Sequence, residues 1–182
     1  LANEIEGHPD NVVPALLGNA QLAAMANGRL QICELPWHES IVPVVIIPEF
    51  ELSTADARRV LPGQYSRTDA IFNTAHIGLL MLGLATGNGD WIAGGMRDRI
   101  HQPYRKKLIS GYSDVRRAAM QAGAWGLVIS GAGPTLLALT PADAAEGVRE
   151  AMESAWKSQS FVSTAHCLTM DSQGAVAKPL HS

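Results

Sequence analysis

Residues 6–11 read Glu-Gly-His-Pro-Asp-Asn and bring two carboxylates, an imidazole and a carboxamide into one short polar segment. The apolar stretch that follows from Val12 is typical of a helix. Backbone N–H groups and the positive dipole end of a helix start favour an anion, so this segment could hold a phosphate, a metal ion or a polar substrate. The simpler alternative is a capped helix, with Asp10 as the cap and residues 11–14 as the first turn.

A second segment, residues 126–139, places glycines between two apolar runs and predicts a strand, a loop and a strand. Its glycines allow positive φ and a close approach of backbone to a ligand. An ordinary hairpin connection is the alternative, but the presence of both segments in this order favours a binding function. We call residues 130–133 the glycine loop; its members are Ser130, Gly131, Ala132 and Gly133.

Two arginines have the chemistry to bind a carboxylate. Thr54 and Arg58 are four residues apart on a helix predicted to begin at Ser53, so they share a face. The planar guanidinium of Arg58 can bind a carboxylate through two parallel hydrogen bonds. Arg105 follows the restricted dipeptide 103–104, which would fix its direction. From spacing alone, solvated surface arginines are the more frequent case.

The segments EGHPDNVVPALLG and ISGAGPTLLAL resemble two signature segments of the homoserine kinase family, which belongs to the GHMP kinases. LSTADARRVLP, the helix that contains FNTAH, and DRIHQPYR resemble that family as well, so the resemblance covers nearly all of residues 1–178. The family's ATP phosphate loop, Pro-x-x-x-Gly-Leu-Gly-Ser-Ser, has no counterpart, and in the family it lies N-terminal to the matched part. We therefore expect a C-terminal portion that is inactive as a kinase by itself.

The resemblance implies an α+β fold. Residues 37–182 would form the GHMP kinase C-terminal domain, a ferredoxin-like sandwich. Residues 1–36 would be the C-terminal remnant of the N-terminal, ATP-binding domain.

The resemblance also implies a reaction: ATP-dependent, Mg²⁺-dependent phosphorylation of L-homoserine to O-phospho-L-homoserine, in threonine biosynthesis. Glu6 is the expected Mg²⁺ ligand, because magnesium takes few carboxylates beside phosphate oxygens; Glu4 is the rival. Asn11 and Asp10 are the expected catalytic residues. The expected substrate-binding residues are His8, Asp10, Asn11, Thr54, Arg58, Arg105 and Gly131.

Asn11 decides between related chemistries. Mevalonate-type relatives place an Asp at this position, whereas homoserine kinases resemble this chain in having Asn. A carboxamide cannot accept a proton at neutral pH, but it can orient a hydroxyl or donate to developing charge. Phosphoryl transfer has a loose transition state in most analyses and can proceed without a strong base; Asp10 is the nearest one. A GHMP kinase for another small alcohol, and a non-catalytic amino-acid-binding α+β domain, stay open as alternatives.

Composition narrows the class of partner. The chain has 182 residues, a net charge of −3 and 47% hydrophobic residues, and its basic residues are neither in excess nor clustered, so no nucleic-acid partner is indicated. Cys33 and Cys167 lack metal or redox spacing and predict free thiols in the cytoplasm. Every run of about twenty residues has polar interruptions, so no membrane span is expected.

The elements that must position these residues follow from local signals. Asn27-Gly28 predicts a hairpin, and the continuous apolar run 42–47 predicts a buried strand. The helix over 68–86 is apolar nearly all round, which predicts burial in a core or, as an alternative, in a homodimer interface. Further predictions are a helix from Ser53 to about Pro62, a helix after Gly89 to about Arg99, helices over 111–123 and 142–157, and a last strand within 161–169.

Overall fold

The computed structural model describes residues 8–177, which divide into two compact units. The first unit comprises residues 8–37 and 169–177, and the second comprises residues 38–168. The first contains α1 (Pro9–Leu17), β1 (Ala20–Ala26) and β2 (Arg29–Leu35). The second contains β3 (Ile41–Pro48), α2 (Thr54–Arg59), α3 (Arg67–Thr86), α4 (Gly89–Gly95), α5 (Gln102–Arg105), a 3₁₀ turn (Lys106–Leu108), α6 (Tyr112–Gln121), β4 (Gly126–Ile129), β5 (Leu136–Pro141), a 3₁₀ turn (Ala142–Ala144), α7 (Ala145–Lys157) and β6 (Ser163–Cys167).

Helix α1 starts earlier than the sequence predicted. His8 occupies the cap position with extended backbone and makes no side-chain cap hydrogen bond. Pro9 is the first helical residue, a position that its fixed φ and missing N–H favour. The prediction that Asp10 caps the helix is therefore wrong: Asp10 lies in the first turn, and Pro14 lies inside the helix.

The hairpin of the first unit confirms its turn signal. Strands β1 and β2 pair antiparallel, with Ala26 opposite Arg29. Asn27 and Gly28 have φ of 52° and 72°. A two-residue type I′ turn requires left-handed backbone at both positions, and these residue types adopt it readily.

Residues 169–177 return to the first unit, although the sequence placed them in the second domain. The Asn19 N–H donates to the Asp171 carbonyl at 2.7 Å, and the Ala175 N–H donates to the Leu16 carbonyl at 3.3 Å. Gly18 has φ of 73°, and a Cβ there would lie 2.7 Å from the backbone of Ser172. This close approach explains a glycine at position 18.

The second unit is built on an antiparallel sheet with the strand order β4-β5-β3-β6. Read along the chain, its strands and the helices between them follow the order βαββαβ, which confirms the predicted ferredoxin-like α+β sandwich. The core lies between the sheet and helices α6 and α7. Its fully buried side chains include Val44, Ile46, Leu136, Val115, Val148, Met152 and Trp156.

Helix α3 is apolar but largely exposed, so the prediction of a core helix is wrong for the described structure. Only Gly83 and Leu84 of this helix are buried, while Ile71 is 59% and Leu82 is 57% exposed. Its length of 20 residues and mean hydropathy of 1.2 would by themselves allow a membrane span. Core helices of soluble proteins can have the same length and hydropathy, so these two properties are weak evidence for a membrane span.

Candidate substrate-binding site

Helix α2 begins where its capping box predicted. The Ser53 Oγ accepts the Asp56 N–H at 3.0 Å and donates to the Asp56 carboxylate at 2.7 Å, so cap and carboxylate stabilise each other. The helix ends at Arg59, before the predicted Pro62. Thr54 and Arg58 lie on this short helix as exposed side chains, as a residue that binds a ligand requires.

The two consecutive arginines of α2 differ in their contacts. Arg59 forms an ion pair with Asp56, with an N–O distance of 2.8 Å. Arg58 forms no ion pair with any residue from 8 to 177. The guanidinium of Arg58 is therefore available to a ligand, whereas that of Arg59 already has a carboxylate partner.

Arg105 joins two other parts of the predicted site. Its Nε donates to the Ala57 carbonyl of α2 at 3.2 Å, and its Nη1 donates to the Gly131 carbonyl at 3.0 Å. A guanidinium has five N–H donors, so two backbone contacts leave others for a substrate. Arg105 thus brings α2 and the glycine loop together, which the sequence did not predict.

The glycine loop connects β4 to β5 as predicted. Gly131 and Gly133 have φ of 57° and 89°, in the left-handed region that favours glycine. The Gly133 N–H donates to the Ser130 carbonyl at 3.0 Å, and the Ser130 N–H donates to the Thr135 carbonyl at 2.9 Å. These bonds make the loop a defined turn that presents the Gly131 carbonyl to Arg105.

The predicted residues of the first unit lie together at one helix end. His8, Asp10 and Asn11 are all exposed at the start of α1, and the Asn11 N–H donates to the Asp10 carboxylate at 3.1 Å. A carboxylate in the first turn suits the helix dipole. Glu4 and Glu6 lie outside the described residues. Within residues 8–177 there is no group of three or more His, Cys, Asp or Glu that could hold a metal ion.

In the second unit, Asp98 and Gln102 are residues near Arg105 that sequence reasoning missed. Asp98 precedes α5, and Gln102 is the first residue of that helix. Burial raises the pKa of Asp98, but hydrogen bonds from Asn73 and from three backbone N–H groups outweigh it and hold the pKa below its ordinary value of 3.8. An Asp shortly before a Gln-Pro pair is a helix-start signal that could have indicated this role.

A cleft of about 460 Å³ lies in the second unit, on residues of α4, α5, α6 and β4. Its lining includes Arg97, Gln102, Tyr112, Arg116 and Trp125. None of the predicted substrate-binding residues lines it. The cleft and the site around Arg105 therefore share helix α5, since Asp98 and Gln102 line the cleft, but the predicted binding side chains lie outside it.

Comparison with known proteins shows which proteins this chain is similar to. Residues 80–158 match the family described as GHMP kinases C terminal. The chain is 58% identical to a homoserine kinase from Microchaete diplosiphon and 57% identical to one from Nostoc sp., over 96% of its length in both cases. It spans 57% and 59% of the lengths of these curated relatives.

Solved structures agree with the sequence comparison. The crystal structure of homoserine kinase from Cytophaga hutchinsonii superposes with a TM-score of 0.86 at 35% identity, and the match covers 92% of this chain and 53% of that one. A mevalonate kinase from L. major superposes with a TM-score of 0.60 at 14% identity, over 86% of this chain and 50% of that one, and shows a shared fold only.

The fold and the matched segments define the class: residues 80–158 match the C-terminal domain of the GHMP kinases, and the chain has the fold of that domain. Within that class its similarity is to the homoserine kinases, along nearly its whole length. The resemblance read from EGHPDN and ISGAGP is thereby confirmed.

Proposed function

We propose that this chain forms the acceptor-binding part of a kinase that transfers a phosphoryl group from ATP to the side-chain hydroxyl of L-homoserine. Because the chain spans 57–59% of the curated relatives, the proposal concerns the activity of a protein that contains it. The observation that carries it is the pair of hydrogen bonds from Arg105, which join the helix of Arg58 to the glycine loop.

Recognition of the amino-acid carboxylate is assigned to Arg58 and Arg105. Arg58 is exposed and has no carboxylate partner among residues 8–177, so it can bind one supplied by a substrate. Arg105 is held by two carbonyls and still has free donors. Thr54 and Gly131 complete the proposed contacts on α2 and on the glycine loop.

The reacting hydroxyl is assigned to the polar segment at the start of α1. Asn11 would orient the hydroxyl through its carboxamide, His8 would contact the substrate, and Asp10 is the nearest group able to accept a proton. All three side chains are exposed, as residues that meet a substrate must be. Positioning and charge neutralisation suffice for a loose transition state.

ATP and Mg²⁺ are part of the same proposal. The described residues fit the acceptor side, since they supply cations and an exposed helix start but no cluster of acidic residues for a metal. Glu6 is proposed as the protein's Mg²⁺ ligand, beside the phosphate oxygens that magnesium prefers. The metal would neutralise charge on the transferring group. The loop that binds the nucleotide phosphates is proposed to lie outside these 182 residues.

The test uses a hybrid enzyme, in which this chain replaces the matching segment of the Microchaete diplosiphon homoserine kinase. Turnover is measured with L-homoserine, mevalonate, galactose and shikimate in the presence of Mg-ATP. We expect clear preference for L-homoserine. Equal or faster turnover of another alcohol would favour the alternative of a different GHMP kinase, and binding of L-homoserine without ADP release would favour an amino-acid-binding domain.

Two further attributes belong to this proposal. Cys33 and Cys167 are free, which supports a cytoplasmic enzyme. The exposed apolar side chains of α3, Ile71, Ile77 and Leu82, are where a homodimer contact would be sought.

A further inference from the structure

The carboxylate of Asp98 is fully occupied by hydrogen-bond donors. Its Oδ1 accepts the side-chain amide of Asn73 at 2.6 Å and the N–H of Ile100 at 3.0 Å. Its Oδ2 accepts the N–H of His101 at 2.7 Å and the N–H of Gln102 at 2.5 Å. The side chain is 16% exposed. Each oxygen thus has two donors, and the group is placed to hold backbone rather than to exchange a proton.

Two of these donors are backbone N–H groups at the start of helix α5. A helix of four residues has very few internal hydrogen bonds, so its position depends on outside contacts. Asp98 supplies such contacts at the N-terminal end, through the N–H groups of His101 and Gln102. At the other end of the same helix lies Arg105, the residue that contacts both α2 and the glycine loop.

Gln102 extends this network to the sheet. Its Oε1 accepts the Ile129 N–H at 3.3 Å and the Tyr112 hydroxyl at 3.4 Å, and its Nε2 donates to the Met96 carbonyl at 3.3 Å. Ile129 is the last residue of β4 and directly precedes the glycine loop. Helix α5 is therefore held against the strand that begins the loop, by a residue whose own backbone is held by Asp98.

We propose that Asp98 is a positioning residue of the acceptor site: by fixing α5 it holds Arg105 in the orientation that binds α2 and the glycine loop. The inference deepens the proposed function and rests on it for the substrate, L-homoserine. Asp98 acts through Arg105 and does not touch the substrate.

The network requires a carboxylate at position 98. An Asn side chain has the same shape, but one of its two positions is an NH₂ donor. That donor would face two N–H groups, so two of the four hydrogen bonds would be lost and replaced by repulsion. Asp98→Asn is therefore a small change in volume with a large expected effect on α5.

The kinetic test compares three variants of the hybrid enzyme. Asp98→Asn is expected to raise KM for L-homoserine about tenfold, equivalent to about 1.4 kcal/mol, with little change in KM for ATP. Arg105→Ala is expected to raise the KM for L-homoserine further. In the double variant, the Asp98 substitution should add little to the loss caused by Arg105→Ala, because residues that act through one contact are not additive. Independent, multiplying effects would overturn the inference.

Asp114→Asn is the matched control. Asp114 lies on α6 and accepts hydrogen bonds from Arg117 and from Gln159, the latter at 3.0 Å. It is therefore a hydrogen-bonded carboxylate whose two side-chain partners lie outside α5. This variant should keep the wild-type KM for L-homoserine; a rise equal to that of Asp98→Asn would show a general effect of carboxylate loss and overturn the inference.

A spectroscopic measurement on the 182-residue chain separates this inference from the proposed function. The Nε–H signal of Arg105 in ¹⁵N NMR should report its hydrogen bond to the Ala57 carbonyl. We expect the signal to shift and lose exchange protection in Asp98→Asn and to persist in Asp114→Asn. Asn73→Ala, which removes one of the four donors to Asp98 together with the acceptor of the Arg99 N–H, serves if Asp98→Asn does not fold, and should weaken the same signal. An unchanged Arg105 signal in the folded variant overturns the inference, whatever substrate the enzyme uses.

Discussion

Arg58 and Arg59 are adjacent in sequence, yet they differ in what they can bind. The Arg59 guanidinium pairs with Asp56 one turn earlier on the same helix. Arg58 points to no such partner among residues 8–177. The charge of an exposed arginine without a carboxylate partner contributes little to stability. Its place beside Ala57, which accepts from Arg105, supports the binding role proposed for it.

We expect Arg58→Ala in the hybrid enzyme to raise KM for L-homoserine roughly ten- to a hundredfold, because a charge-assisted hydrogen bond contributes about 1.5–3 kcal/mol. KM for ATP should change little. Arg59→Ala is the matched control and should leave both constants near wild type. Steady-state kinetics of the two variants, with the methyl ester of homoserine as a substrate lacking the charge, checks the assignment. Equal kinetic constants for the two variants would show that Arg58 is a surface arginine without a role in binding.

Asn11 tests the reacting end of the site. We expect Asn11→Ala to lower kcat with a smaller effect on KM, because this carboxamide would act mainly on the hydroxyl that attacks. The side chain is exposed in the first turn of α1, so the fold should persist. Turnover of the hybrid variant and its circular dichroism spectrum measure the two effects. A normal kcat would remove Asn11 from the reaction.

At the scale of elements, helices α2 and α3 begin in the same way. Each has a serine cap whose Oγ accepts the N–H of an aspartate three residues later, Ser53 with Asp56 and Ser66 with Asp69, both at 3.0 Å. Only α2 carries predicted site residues. The pair therefore separates the contribution of a cap to stability from its contribution to the site.

We expect Ser53→Ala and Ser66→Ala each to lower the free energy of unfolding by about 1 kcal/mol, the usual contribution of a serine cap. Only Ser53→Ala should also raise KM for L-homoserine in the hybrid enzyme, because loosening α2 displaces Arg58 and the carbonyl that holds Arg105. Urea unfolding and steady-state kinetics check the two parts. The same KM change in both variants would mean that the loss of stability alone produces it.

Asp98 predicts a specific dependence of stability on pH. Its pKa is below 3.8 in the folded chain. The stabilisation of the fold by this carboxylate is therefore present above pH 3.8 and is lost as the pH falls through the folded pKa. The difference in Tm between wild type and Asp98→Asn should be large near pH 6 and shrink near pH 3. A difference that stays constant between these conditions would contradict the role of the charge.

Local signals predicted the elements that depend on few neighbouring residues. The predictions of the Asn27-Gly28 turn and of the Ser53 cap were correct, because local backbone conformation and the nearest N–H groups determine both. The start of α1, the exposure of α3 and the contacts of Arg105 were not predicted. Arg105 meets Ala57 and Gly131, which are 48 and 26 residues away, and such contacts depend on the order of strands in the sheet.

The features of the candidate site also divide into those that the local sequence predicts and those that depend on distant contacts. EGHPDN and ISGAGP indicated the resemblance to homoserine kinases, and residues 130–133 lie in the loop that was expected there. The spacing of Asp56, Arg58 and Arg59 indicates which arginine is paired, since residues three apart on a helix share a face and residues two apart do not. The sequence could not reveal the contact between Asp98 and Asn73, which are 25 residues apart.

At the scale of the whole molecule, we predict that the 182-residue chain by itself shows no kinase turnover, whereas the hybrid does. Phosphoryl transfer needs backbone donors around the β- and γ-phosphates, and the proposed phosphate loop is not among these residues. ADP release dependent on L-homoserine measures this for both proteins. Ordinary turnover by the chain alone would place the nucleotide site within residues 1–182.

The path of the chain through its two units has a consequence for how such a protein can be recombined. It leaves the first unit after Trp37 and returns at Thr169. Within the second unit, the first strand β3 and the last strand β6 are neighbours, and the Leu168 N–H donates to the Pro43 carbonyl at 2.8 Å. A block whose entry and exit are adjacent can be exchanged without redirecting the chain around it. Residues 38–168 could therefore be exchanged between related genes as one segment, while the first unit keeps its own strands and terminal segments.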